Sequence, residues 1–138
     1  MAHVTFSETP TPAEFQALFS ALDRETAAIA GPITLRHFAL LLRDGDAAIT
    51  GGLWAHTGYS WLSLDLLFVP GPLRRRGIGA TLVRWAEKIG RERGCLGAHV
   101  AAFDFQAPRF YQRLGYTIFA VHEDLPPRHN HLHLSKRL

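Results

Sequence analysis

Cysteine is nearly absent from this chain of 138 residues, in which Cys95 stands alone. A single cysteine cannot form an internal disulfide, and it offers neither a redox pair nor a cysteine-based metal site. Cys95 follows a long amphipathic segment, and we expect it to be a small core residue.

Long hydrophobic runs and a strong charge of one sign are also missing. No apolar stretch is long enough to span a bilayer and the N-terminus lacks a signal-peptide pattern, so we expect a cytoplasmic protein with no membrane partner. The formal net charge is only +3, partly from the run Arg74, Arg75 and Arg76. That modest excess fits a local anion site better than a nucleic-acid surface, so we expect no nucleic-acid partner.

What the chain does contain is the composition of one ordinary globular domain. Its 47% hydrophobic and 20% charged residues are typical of soluble proteins. Its length is sufficient to bury a core without disulfides. We therefore predict one domain over residues 1–138.

One stretch, residues 61–93, combines a strand, a turn and a helix. Large apolar side chains over residues 61–69 predict a buried strand, which the Pro70-Gly71-Pro72 segment ends. Beyond Gly77, apolar residues recur at helical spacing as far as Ile89, and Gly94 supplies a stop.

The turn before this helix predicts an anion site. Free amide groups at a helix start bind phosphate, and glycines at 77 and 79 leave them open to approach. A P-loop would need Gly-Lys-Ser/Thr, and a dinucleotide fingerprint would need GxGxxG, and the sequence has neither here. The alternative is that the glycines only permit close packing and that the arginines are solvated.

Two motifs carry a family resemblance. Arg74-Arg75-Arg76-Gly77-Ile78-Gly79 after a strand resembles the acyl-coenzyme A signature of GCN5-related N-acetyltransferases (GNAT), Gln/Arg-x-x-Gly-x-Gly/Ala. Residues 107–116, APRFYQRLGY, resemble the second signature of that family, Ala-x-x-Phe-Tyr-x-x-x-Gly-Phe/Tyr. The resemblance implies an α/β fold with a mixed, mostly antiparallel central sheet of six to seven strands. About four helices flank this sheet, which is splayed at its central strand.

Local patterns predict the elements of that fold in the order β-α-α-β-β-β-α-β-α-β-β. A capping box at Thr11 and Glu14 begins the first helix, and a second short helix is one interpretation of residues 23–32. A hairpin turn is expected at residues 44–46, and the pair Gly51-Gly52 suggests a bulge or a close backbone approach. The predicted strands are residues 3–6, 34–43, 47–56, 61–69, 97–103, 116–122 and 129–134, and the last helix is residues 107–114.

The resemblance also implies a set of coenzyme-binding residues. Backbone amides of the turn would bind the pyrophosphate of acetyl-coenzyme A, and the β-strand before it would pair with the pantetheine arm. Many relatives have Asn where this chain has Asp104, and Gln106 could supply the missing amide. The residues implied are Leu67, Phe68, Val69, Arg74, Arg75, Arg76, Gly77, Ile78, Gly79, Ala80, Asp104, Gln106, Ala107, Phe110 and Tyr111.

Acetyl transfer to an amine needs a proton acceptor for the amine and a donor for the departing thiolate. By the resemblance, Tyr111 is the thiolate donor; the alternative is a buried tyrosine bonded to the backbone. Asp65 shares a strand face with Leu67 and Val69 by alternation, and could take the amine proton through water. A structural strand aspartate is the alternative.

The acceptor pocket is expected to involve Trp54, Trp61, His122 and His131, although packing is the alternative for each tryptophan. His129, His131 and His133 alternate along the last predicted strand. No carboxylate or cysteine matches their spacing, so we expect no metal.

The sequence therefore predicts acetyl transfer from acetyl-coenzyme A to a primary amine, most simply of a small molecule, by direct attack in a ternary complex. Acetylation of a protein N-terminus or lysine stays open, as does a non-catalytic module that binds the coenzyme. Family precedent makes a homodimer a reasonable expectation.

Overall fold

The computed structural model describes residues 1–45 and 48–138. It divides into two compact units, Met1–Ile33 and Thr34–Leu138, which are described separately. The prediction of one domain over residues 1–138 stays a prediction. No helix in the described part of the chain is long and apolar enough to cross a membrane.

The N-terminal unit contains one helix, α1 (Pro12–Ala30). The predicted capping box is confirmed: the Thr11 side chain accepts from the Glu14 amide, and the Glu14 carboxylate accepts from the Thr11 amide.

Two predictions for the N-terminal unit are wrong. Residues 3–6 form no strand, since alternation over four residues cannot hold a strand without a hydrogen-bonded partner. Residues 23–30 continue α1 rather than starting a second helix, because no glycine or proline interrupts them before Gly31.

The second unit is built on one sheet. Within residues 34–45 and 48–138 its strands are β1 (Arg36–Asp44), β2 (Ala48–Gly58), β3 (Trp61–Phe68), β4 (Gly97–Phe103), β5 (Thr117–Glu123) and β6 (Asn130–Arg137), in the spatial order β1-β2-β3-β4-β6-β5. The β3–β4 pair is parallel and the other described pairs are antiparallel. A 3-10 turn (Gly71–Leu73) and the helices α2 (Ile78–Glu92) and α3 (Pro108–Arg113) complete this unit. The mixed, mostly antiparallel sheet is confirmed, with three α-helices in the described chain instead of about four.

The core lies between one face of this sheet and α2. Leu62 of β3 and Leu134 of β6 are fully buried on that face, and Val83 and Ala86 of α2 are also fully buried. The buried positions of α2 recur every three or four residues, which is the spacing that places side chains on one helix face. Cys95 belongs to the same core, as expected.

A bulge and a pair of glycines shape the centre of the sheet. Ala55 pairs with Leu64 and Trp54 with Leu66, so Asp65 is an extra residue on β3. On β2, a Cβ at Gly51 would lie 2.5 Å from the Phe68 carbonyl oxygen, and Gly52 has φ +138°. The predicted close approach at this glycine pair is therefore confirmed. The predicted hairpin turn reaches residue 46, which lies outside the described residues.

The sheet is splayed at β3, as predicted. Pairing between β3 and β4 runs from Trp61–Gly97 to Leu64–Val100, and in the described chain it ends there. Both strands continue for several residues beyond this point. Their C-terminal halves therefore border an opening in the middle of the sheet.

Candidate active site

A cleft of about 830 Å³ occupies the opening between β3 and β4. Its walls are the second half of β3, the turn after it, the start of α2, the end of β4, and α3. The two sequence motifs therefore meet at one cavity. Of the residues proposed as coenzyme-binding or catalytic, those that line it are Asp65, Leu67, Phe68, Val69, Arg74, Arg75, Gly77, Ile78, Gly79, Ala80, Gln106, Ala107, Phe110 and Tyr111.

The second half of β3 offers the cleft a free strand edge. Leu66, Leu67 and Phe68 pair with β2 on one side, and in the described chain none of them pairs with β4 on the other. A free edge presents backbone N–H and C=O groups to any extended molecule that lies along it. The cleft can therefore bind an extended chain with amide groups as an added strand.

The turn into α2 presents amide groups to the same cleft. Arg75 and Gly77 both have positive φ, at +60° and +78°, and they reverse the chain so that α2 begins at Ile78. The Arg74 Nε donates to the Val69 carbonyl at 2.8 Å, which ties the turn to the end of β3. A helix N-terminus beside arginines is suited to phosphate oxygens.

The structure separates the three arginines of the turn, which the sequence analysis grouped together, between two grooves. Arg76 does not line the cleft; it borders a second groove beside β1, with Leu41 and Trp85. Two arginines that the sequence analysis missed, Arg84 of α2 and Arg113 of α3, do line the cleft. Helical spacing could have identified both arginines. Arg84 lies four residues after Ala80 and Arg113 lies three after Phe110, so each shares a helix face with a predicted cleft residue.

Tyr111, on α3, lines the cleft. Its side chain is 7% exposed and makes edge-to-face contacts with the rings of Phe110 and Tyr116. Burial raises the pKa of the Tyr111 phenol, so it stays protonated across the neutral range. The Tyr116 hydroxyl is bonded to Glu87, but the Tyr111 hydroxyl has no hydrogen-bond partner among residues 1–45 and 48–138. It is therefore free to donate to a molecule in the cleft.

Asp104 and Gln106, which precede α3, take separate roles. Asp104 does not line the cleft; its carboxylate accepts from the Asn130 amide at 2.8 Å and contacts His129 Nδ1 at 2.9 Å. The Asn130 amide, and then His129, lower the pKa of Asp104. Gln106 lines the cleft, and its Oε1 accepts from the Phe103 amide at 2.9 Å. The side-chain amide of Gln106 thus remains a donor beside the cavity.

Asp65 is part of a polar cluster where β3 and β4 separate. One carboxylate oxygen lies 2.6 Å from His56 Nδ1, and the other accepts from the Ser63 hydroxyl at 2.7 Å. Burial first, and then the charge of His56, lower the pKa of the neighbouring His99. His56 and Ser63 were not candidates in the sequence. Only the strand register, in which they lie opposite each other, brings them to Asp65.

The four residues predicted for the acceptor pocket lie outside the cleft. Trp61 packs at the far end of β3 against Gly97, and Trp54 lies beside His37 on β1. His122 pairs with His131 across the β5–β6 ladder, and His131 contacts the Phe103 ring. In the part of the chain that the structure describes, no three His, Cys, Asp or Glu side chains form a group that could hold a metal.

Comparison with known proteins gives a family match and similar relatives. The model of the Acetyltransferase (GNAT) family matches residues 5–116. A blasticidin-S acetyltransferase of Streptomyces morookaense is 46% identical over 80 residues, which are 57% of this chain and 59% of the relative. An acetyltransferase of Agrobacterium fabrum is 42% identical over 82 residues, 59% of this chain and 60% of the relative. The chain thus matches about three fifths of the length of these curated relatives.

Solved structures match over nearly the whole chain. A protein from Agrobacterium tumefaciens that is assigned as an acetyltransferase is 31% identical, with a TM-score of 0.91 and coverage of 99% of this chain and 100% of that one. An acetyltransferase from Bacillus cereus is 28% identical, with a TM-score of 0.84 and coverage of 97% and 98%. More distant structures under 25% identity share the fold alone.

Proposed function

Because the chain belongs to the acetyltransferase (GNAT) family, we propose that it transfers the acetyl group of acetyl-coenzyme A to a primary amine of a small molecule. The observation that carries the proposal is the cleft itself. It combines a free strand edge, an open helix N-terminus and a phenol without a partner in the described chain, which are the groups that a coenzyme A thioester requires.

Each part of the cleft suits one part of the coenzyme. The α2 N-terminus and Arg75 bind the pyrophosphate, with Arg84 and Arg113 adding positive charge along the cavity. The pantetheine amides pair with the free edge of β3, and Gln106 offers one further donor. This orientation brings the thioester to the point where β3 and β4 separate.

The reaction is a direct attack in a ternary complex. The neutral amine attacks the thioester carbonyl carbon, the C–N bond forms and the C–S bond breaks. The departing thiolate takes the Tyr111 phenol proton, which solvent later restores. Asp65 borders the same point, so the carboxylate cluster lies on the side where the amine loses its proton.

A small-molecule acceptor is supported by the blasticidin-S acetyltransferase, which is 46% identical over the matched segment. A protein N-terminus or a lysine side chain is the competing acceptor, and a coenzyme-binding module without turnover is the competing function. A homodimer and a cytoplasmic location stay predictions.

An amine panel tests the proposal. The purified protein is mixed with acetyl-coenzyme A and, separately, blasticidin S, kanamycin, spermidine and a lysine-containing peptide. Thiol release and mass spectrometry of the acetylated product report turnover. We expect acetylation of at least one small molecule and a poorer rate on the peptide. Turnover of the peptide alone contradicts the acceptor class, and coenzyme binding with no thiol release on any amine supports the non-catalytic module.

A further inference from the structure

Three side chains from neighbouring strands meet at the bulge of β3. His56 on β2 lies directly opposite Ser63 on β3, and the extra residue Asp65 turns its carboxylate back towards both. The contacts are short, at 2.6 Å to His56 Nδ1 and 2.7 Å to the Ser63 hydroxyl. Ser63 and Asp65 share one face of β3 because they are two residues apart, and the bulge leaves Asp65 without a partner of its own on β2.

The hydrogen bonds fix which atom is free to accept a proton. An ionised carboxylate only accepts, so the contact with His56 requires the imidazole proton on Nδ1. The lone pair of a neutral His56 is then on Nε2, which points away from the carboxylate. Each Asp65 oxygen already takes part in one hydrogen bond, one with His56 and one with Ser63. Asp65 is therefore placed to orient the imidazole.

Asp65 places the pair beside the reacting end of the cleft. It lines the cavity beyond the last β3–β4 pair, where the free edge of β3 begins, whereas His56 lies one strand further away and is not among the lining residues. The His56 and Asp65 side chains are 28% and 29% exposed, so water reaches both of them. Tyr111 of α3 lines the same cavity.

We propose that His56 accepts the proton that the acceptor amine loses as the C–N bond forms, and that Asp65 is the positioning residue for it. This inference rests on the proposed acetyl transfer. The amine nitrogen gives its proton through a water molecule to His56 Nε2, while the thiolate receives the proton of Tyr111. His56 then releases its proton to solvent, and Tyr111 recovers one from solvent, so each side chain returns to its starting state.

Other titratable groups surround His56 on the neighbouring strands. The His37 ring of β1 lies 5.3 Å from the His56 ring, Asp65 of β3 contacts His56, and His99 of β4 lies near enough for its pKa to respond to both. His133 of β6 acts on His99. Burial, and then a charged His56, disfavour the charged form of His99, which lowers its pKa. The charged form of His99 is therefore disfavoured further when His56 takes a proton.

The test uses three variants of the full chain: His56→Ala, Asp65→Asn and the exposed control His3→Gln. The acceptor is the amine of the panel with the largest kcat/KM, and kcat/KM is measured between pH 5.5 and 9.5. Calorimetric binding of coenzyme A and urea unfolding show that each variant is folded. We expect His56→Ala to lose about 10²–10⁴-fold in kcat/KM and to lose the acidic limb of the profile that an imidazole base produces. Added imidazole should restore part of the rate of His56→Ala and none of the rate of Asp65→Asn.

The outcomes separate this inference from the proposed function. An unmutated protein that releases no thiol on any amine contradicts acetyl transfer, and this inference with it. Turnover that persists in His56→Ala with its acidic limb intact, while Asp65→Asn is inactive, makes Asp65 the base and overturns this inference alone. Loss of activity without imidazole rescue, accompanied by weaker coenzyme binding, would assign His56 a structural role and overturn it as well.

Discussion

The buried carboxylate of Glu87 makes the sharpest stability prediction. Glu87 is 3% exposed on α2, where it accepts from the Tyr116 hydroxyl at 2.9 Å and from the Lys136 ammonium at 3.0 and 3.1 Å. These contacts join α2 to the segment before β5 and to β6. Removing the carboxylate leaves a buried hydroxyl and a cation without their partner.

The expected cost follows from the exposure of each partner. Breaking a buried ion pair typically costs about 3–5 kcal/mol. The Lys136 side chain is 23% exposed and can turn towards water, so we expect Glu87→Ala to fall at the lower end, about 3 kcal/mol. Glu87→Gln keeps an oxygen for Tyr116 and loses the charge, which should cost about 1–2 kcal/mol. Tyr116→Phe should cost about 1–2 kcal/mol for the same hydrogen bond.

Urea unfolding followed by circular dichroism measures these differences. Glu92→Ala, at an exposed position of the same helix, is the control and should change stability by less than about 0.5 kcal/mol. A Glu87→Ala cost near that of the control would show that the carboxylate does not hold α2 to the sheet. Equal costs for Glu87→Ala and Glu87→Gln would show that the charge of Glu87, rather than its hydrogen bond to Tyr116, carries the stability.

Two further predictions concern the turn and the alkaline range. Gly77→Val should abolish coenzyme A binding by calorimetry, because φ is +78° and a side chain would cover the helix amides; Gly94→Val, with φ +80° and equally open surroundings, carries the same strain away from the cleft and should bind normally. Equal binding by both variants would place the coenzyme elsewhere. Burial, and then the Glu87 carboxylate, raise the pKa of Tyr116 far above its ordinary value near ~10, so its contribution to stability is complete below that pH and is lost as pH rises. Stability should therefore fall above about pH 10 by up to ~1.4 kcal/mol per pH unit for each such tyrosine, and Tyr116→Phe should flatten the fall; an identical fall in Tyr116→Phe would assign it to other groups.

Much of the second unit was predictable because its signals are local. The strand over residues 97–103 agrees with β4 residue for residue, and apolar spacing together with the Gly77 turn located α2. Short alternation was not sufficient at residues 3–6, where a strand would need a partner that four residues cannot specify.

The site was predictable only in its backbone elements. The two motifs located the cleft, but they did not separate Arg74 and Arg75, which line it, from Arg76, which borders the groove beside β1. Positive φ angles at Arg75 and Gly77 flank Arg76. The His56–Asp65 pair depends on the register of β2 against β3, and Asp65 is also the inserted residue of a bulge. A bulge of this kind leaves no mark in the composition or the periodicity of the sequence.

The most direct test of the central claim, that this cleft carries out acetyl transfer, is the kcat of Tyr111→Phe beside the Kd for coenzyme A. A general acid contributes about 10²–10⁴-fold, and a thiol leaves readily because its ordinary pKa is near ~8.5. The raised pKa of Tyr111 makes its proton still harder to give up, so we expect a loss near the low end, about 10²-fold, with Kd unchanged. Tyr59→Phe, at an exposed turn, should retain full activity. An unchanged kcat in Tyr111→Phe on a good acceptor, with the coenzyme still bound, would contradict the role of Tyr111, and a weaker Kd with normal kcat would make it a binding residue instead.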